Sequence, residues 1–122
     1  SAAGEVRDVR KVAHPVLRND KASTLLYIDF CNTPLALGGS AFAQSLHHIG
    51  QQVPTIQSPE YFAATFEAVQ KLVNESLLLA AHDVSAGGLI TTVLEMAFAN
   101  TEGGISLNLD AFQEKDLLRI MH

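Results

Sequence analysis

Between Leu77 and Asn100 four kinds of sequence follow one another without a gap. An apolar run (Leu77–Ala81) leads into a polar turn (His82-Asp83-Val84-Ser85), then Ala86, a glycine pair (Gly87-Gly88) and a helical pattern from Leu89. A short apolar run bounded by turn residues reads as a buried strand. Strand, small-residue turn and helix start bring backbone N–H groups and the positive end of a helix to one point, which suits an anion, most often a phosphate. Asp83 and Ser85 stand in that turn, where a carboxylate can hold a metal ion and a hydroxyl can reach a phosphate oxygen.

The flanking segments carry the same punctuation. Thr24–Phe30 is rich in β-branched and aromatic residues and is expected to be a strand covered on both faces, ending before Pro34. Gly38-Gly39-Ser40 is a second glycine turn, ahead of a helix expected from Ser40 or Ala41 to about Ile49 and stopped by Gly50. Ser40 is a natural N-cap, so this loop is either an ordinary capped turn or a second phosphate-facing loop. Ser58 and Pro59 open a helix to Asn74 whose stripe Phe62, Phe66, Val69 and Val73 should face a core.

From Leu89 to Asn100 the apolar residues cover most of the circumference, as in a largely buried helix. Glu95 on that helix needs a partner, because an unpaired buried carboxylate is costly. A salt bridge to an arginine and a catalytic role are the two readings. His82 either orients the turn by hydrogen bonding or serves as a general base. Ile105–Leu109 alternates strictly, as a half-buried strand does, and Glu114–Met121 reads as a short helix. Residues 1–20 form a lead-in segment without a clean period. The order β-α-α-β-α-β-α implies an α/β (α+β) domain, a mixed sheet layered with helices.

Composition excludes several classes. With 122 residues and a net charge of −5, the chain lacks the clustered Lys and Arg that a nucleic-acid partner calls for. Arg7, Arg10 and Lys11 form only a small basic cluster, read as a solvated face. His47 and His48 are adjacent, so on a helix they point about 100° apart and cannot clamp one metal. The single cysteine, Cys31, rules out an intrachain disulfide and a cysteine-rich zinc site. No apolar run reaches the roughly 20 residues of a membrane helix. A soluble, cytoplasmic domain burying about two-thirds of its unfolded surface is expected.

The string AAHDVSAGGLITTVLEMAFAN resembles the second synthetase half of phosphoribosylformylglycinamidine synthase, in which an H-D-x-S-x-G-G-L segment precedes a helix ending in an E-M-A-F-A-like sequence. Leu37-Gly38-Gly39-Ser40-Ala41-Phe42-Ala43-Gln44 is similar to that family's L-G-G-S-A-x-A-Q loop, and Ser1–Lys11 resembles the lead-in to the same domain. Ala86 departs from the pattern, since many members carry a carboxylate there.

The resemblance implies a truncated C-terminal-type domain of the aminoimidazole ribonucleotide synthetase-like fold, spanning residues 1–122 and cut from a larger enzyme. It implies ATP and magnesium as cofactors, with Asp83 as the metal ligand and Ser85, Gly87, Gly88, Gly38, Gly39 and Ser40 facing the nucleotide. The implied reaction is that of a C–N ligase with glutamine as nitrogen donor: formylglycinamide ribonucleotide is activated by ATP and aminated by glutamine-derived ammonia in purine biosynthesis. The implied partners are the nucleotide, the phosphorylated ribonucleotide substrate and the remaining domains of the same polypeptide. A fragment carrying one wall of a cleft should be inactive alone. Its open sheet edge and apolar patch should favour a homodimer.

Two other readings stay open. One is a non-catalytic, self-associating α/β binding module. The other is a different ATP-dependent enzyme of the aminoimidazole ribonucleotide synthetase or selenophosphate synthetase type. No nucleophile–base–orienter set and no G-x-x-x-x-G-K-[ST] loop occurs, so catalytic residues are not assigned within this chain.

Overall fold

In the computed structural model, which describes residues 3–122, the helices are α1 (Ala41–Ser45), α2 (Pro59–Asn74), α3 (Gly88–Phe98) and α4 (Leu117–Met121). A single 3-10 turn at Asp110–Phe112 precedes α4. The start of the expected lead-in, Ser1 and Ala2, lies outside the described residues.

Among the described residues there is no β-strand, so the expected α/β (α+β) mixed sheet is overturned. Thr24–Phe30, Leu77–Ala81 and Ile105–Leu109 are non-helical, but no backbone ladder joins any two of them. Their polar groups go elsewhere. The Asp29 carbonyl accepts from the Tyr61 hydroxyl at 2.9 Å, and the Leu77 N–H donates back to Leu72 at 3.0 Å. The Ala81 N–H donates to His14 at 3.0 Å, and the Leu109 carbonyl accepts from Phe112 at 3.1 Å. A strand is a property of a pair, because its N–H and C=O groups are satisfied across a ladder and not within one segment. These runs have no register partner. Leu26 and Leu77 stand 67% and 61% exposed, so water reaches these stretches.

The helices satisfy their own backbones, and their sequence signals hold. In α2 the Ser58 hydroxyl accepts the Tyr61 N–H at 3.1 Å, Pro59 occupies the first turn, and Lys71 lies 3.8 Å from Glu75 one turn on. Its apolar stripe, however, has no sheet to pack on. No α2 residue is buried, Phe66 is half-exposed, and Phe62 meets only the tilted ring of Phe30 among aromatic partners, at 5.3 Å. Helix α1 ends at Ser45, earlier than expected. Leu46 leaves helical geometry, His47 turns left-handed (φ 58°), and the His48 N–H closes onto the Ala43 carbonyl at 2.9 Å.

The small core sits around α3. Thr92, Val93 and Met96 are buried along one face, with Ala43 of α1 and Ile120 of α4 the other well-covered residues. Leu94 and Phe98 are exposed, so α3 is buried on one side and not all round. The lead-in lies along it: the Leu17 N–H donates to the Met96 carbonyl at 3.0 Å, and the Asn100 amide donates to Leu17 O at 3.1 Å and Asn19 Oδ1 at 2.8 Å. The accessible surface is 9603 Å². Size scaling gives about 6,400 Å² for a compact monomer of 13.1 kDa and about 19,000 Å² for its extended chain. Burial is therefore about half, below the expected two-thirds, because the absent sheet would have supplied the missing contacts.

Candidate functional site

The two glycine turns, far apart in sequence, line one cavity of about 420 Å³. Gly38, Gly39 and Ser40 contribute from the first turn, Ser85 and Ala86 from the second, and Arg119 of α4 from a third direction. Tyr27 and Asp29 also line it. Burial first, and then the negative charge of Asp29 and Cys31, push the Tyr27 phenol up from its ordinary value. Gly87, Gly88 and Asp83 do not line the cavity.

The turns differ in what they offer a ligand. In the first, the Gly38 N–H donates to Gln52 O at 2.7 Å, the Gly39 N–H to Ile49 O at 2.7 Å, and the Ser40 N–H to Leu37 O at 3.0 Å. Its amides are spent internally, so it cannot cradle an anion with them. A Cβ on Gly38 would strike the Gln52 carbonyl, which explains the glycine there by close backbone approach. The Ser40 hydroxyl accepts the Ala43 N–H at 3.1 Å and keeps its own proton to donate.

The second turn is the reverse. Among the described residues the N–H groups of Ser85, Ala86 and Gly87 find no protein acceptor, and α3 has no side-chain cap. Gly87 is the N-cap of α3, and Ser85 and Ala86 precede it in the turn. The turn is held from below. The Asp83 carbonyl receives the Thr92 hydroxyl at 3.1 Å and faces His82 Nδ1 at 2.8 Å, while His82 Nε2 lies 3.2 Å from Glu95. Glu95 thus finds its partner in a histidine and not in an arginine, and His82 braces the turn.

The Asp83 carboxylate is 84% exposed, lies 3.4 Å from His82 Nδ1 and caps no helix. Gly88 has φ +73°, and a Cβ there would lie 2.6 Å from the Met121 carbonyl oxygen and 2.5 Å from His122 Cα. Gly88 therefore lets α4 approach α3.

For magnesium, no three metal-ligating side chains gather among the described residues. Magnesium prefers six oxygens and keeps waters and phosphate oxygens around one or two carboxylates. The residues present supply one candidate ligand, the exposed Asp83 carboxylate, which stands outside the cavity and 3.4 Å from His82 Nδ1. The cavity's volume lies within the roughly 300–1,000 Å³ usual for small ligands. Asp29 and Arg119 went unnoticed in the sequence. The signal for Asp29 was present: like Glu95, it is a lone carboxylate in an apolar run, Tyr27-Ile28-Asp29-Phe30. Nothing in the sequence near Arg119 pointed to a cavity. A second cavity of about 230 Å³ lies between the lead-in and the end of α2, with Arg10, Lys11 and Arg18 on its wall.

Small-residue turns surround this concave space, with a helix start and a cation beside them. The chain matches the family described as AIR synthase related protein, C-terminal domain, over residues 26–121, and it belongs to that family. The family includes ATP-dependent enzymes. No solved structure matches the chain.

Proposed function

We propose that this chain is a subdomain of phosphoribosylformylglycinamidine synthase and forms one wall of an ATP-binding cleft. The observation that carries the reading is the convergence of Gly38-Gly39-Ser40 and Ser85-Ala86 on one cavity, because these two turns also carry the family resemblance. In this reading the unpaired amides of Ser85 and Ala86, which line the cavity, meet phosphate oxygens just before the start of α3. The Ser40 hydroxyl, which also lines the cavity, is free to donate. Asp83 would offer one carboxylate to a magnesium ion, which would supply positive charge to the nucleotide phosphates. The His82–Glu95 and Thr92–Asp83 contacts keep the turn from moving when the anion arrives.

The ligand partners are ATP and, in the complete enzyme, the phosphorylated ribonucleotide substrate, whose amide oxygen is activated before ammonia displaces phosphate. Calorimetric titration of Mg-ADP into the complete enzyme, as wild type and as Asp83→Asn, tests the site. The substitution keeps the side chain's shape and removes its charge, so weaker binding in the variant is expected. Equal affinity and stoichiometry in both proteins would reduce Asp83 to a turn residue, and no binding to either would remove the nucleotide reading.

A further inference from the structure

We propose that Arg119 is a phosphate-binding residue of this cavity, held ready by two acidic neighbours that a nucleotide phosphate displaces; this rests on the nucleotide reading above. Arg119 is the one lysine or arginine among the described residues lining the cavity. Its guanidinium lies 3.8 Å from Glu114 Oε2 and 3.7 Å from Asp116 Oδ2, beyond hydrogen-bond length. No protein acceptor takes a hydrogen bond from its side chain among the described residues. Five N–H donors in a planar fork are therefore unspent.

The two carboxylates are committed elsewhere. Glu114 Oε1 accepts the N–H groups of Lys115 at 2.7 Å and Asp116 at 2.9 Å, and Asp116 Oδ1 accepts the Leu118 N–H at 3.0 Å as the cap of α4. They steer the guanidinium by charge without saturating it. A phosphate offers what they lack, a bidentate acceptor with full negative charge, and arginine is the side chain shaped for that geometry. The amides of Ser85 and Ala86 and the fork of Arg119, which line the same cavity, would then hold one phosphate together.

The test titrates ATP and adenosine, each with magnesium present, into the wild-type protein, Arg119→Ala, Arg119→Lys and Glu114→Gln. Arg119→Ala should weaken ATP binding about 10–100-fold and leave adenosine within about 2-fold, the loss of one charge-assisted contact. Arg119→Lys should recover part of the loss, because the charge remains and the fork does not. Glu114→Gln should tighten ATP binding several-fold: it keeps an acceptor for the two backbone N–H groups and removes a competing charge. If Arg119 only ties down the start of α4, Glu114→Gln would not raise ATP affinity and the ATP-to-adenosine ratio would be the same in every variant. Wild-type binding of ATP with an unchanged ratio in Arg119→Ala overturns the arginine assignment alone. Failure of the wild type to bind either ligand overturns the nucleotide reading with it.

Discussion

Replacing Gly88 with alanine should destabilise the protein by about 2–4 kcal/mol, whether or not a ligand is present. Two costs add. A left-handed backbone disfavours a residue with a Cβ by about 1–2 kcal/mol, and Gly88 has φ +73°. The new Cβ would also lie 2.6 Å from the Met121 carbonyl oxygen, against backbone and not the tip of a flexible side chain. Relieving that contact means moving α4 off α3, and such overpacking costs about 1–3 kcal/mol. The lower entropy of an alanine-containing unfolded chain offsets roughly 0.4–1 kcal/mol of the sum. Urea unfolding followed by far-ultraviolet circular dichroism measures the difference, with Gly104→Ala as the control, since nothing lies within 4 Å of a Cβ there. The control should carry only the unfolded-state effect and be more stable than wild type by up to about 1 kcal/mol. A Gly88→Ala protein as stable as the wild type, with its only defect in nucleotide affinity, would refute the packing argument and move Gly88 into the phosphate site.

Ser58→Ala should cost about 1 kcal/mol, because the Tyr61 N–H loses the acceptor that caps α2; thermal unfolding against wild type checks it, and Ser58→Asp should keep most of the stability. Glu114 is held below the ordinary carboxylate range by the N–H groups of Asp116 and Lys115 and then by the Arg119 charge. A lowered folded value means that its contribution is complete above the unfolded pKa of about 4.3 and disappears as pH falls through the lowered value. The Lys115 and Asp116 amide resonances should report that titration, and Glu114→Gln should abolish it. Exposed Leu26, Leu77 and Phe98 leave apolar surface uncovered, so light scattering should show mass rising with concentration, and a constant monomer mass would contradict it.

Legibility in the sequence followed from where each element finds its hydrogen-bond partners. Helix α2 was readable from Ser58 through Pro59 to Asn74 because cap, first-turn proline and period all act within one segment. Helix α3 was placed within a residue at its start, and the Ser40 cap was correct. Leu77–Ala81 and Ile105–Leu109 failed because apolar runs and alternation describe a face and not a partner. The family resemblance implies a nucleotide-facing role for each glycine turn, but their meeting at one cavity is a tertiary fact that it does not state. The contrast between spent amides at Gly38–Ser40 and free ones at Ser85–Gly87 was not, since it depends on the return of residues 49–52 to the first turn. Arg119 escaped notice for the same reason: α4 reaches the cavity through its contact with α3, a tertiary fact that no local pattern carries.

Both turns are proposed to face one nucleotide. Backbone hydrogen exchange read by mass spectrometry, with and without Mg-ATP, tests it most directly. The Ser85–Gly87 amides are unpaired in the free protein and should exchange fast, then slow by an order of magnitude or more when ATP binds. The Gly38–Ser40 amides are already bonded and should start slower, with a smaller further slowing as the loop is fixed. Protection appearing in both segments at the same ATP concentration is the predicted result. Saturable ATP binding that leaves Ser85–Gly87 exchanging as fast as before would contradict the account.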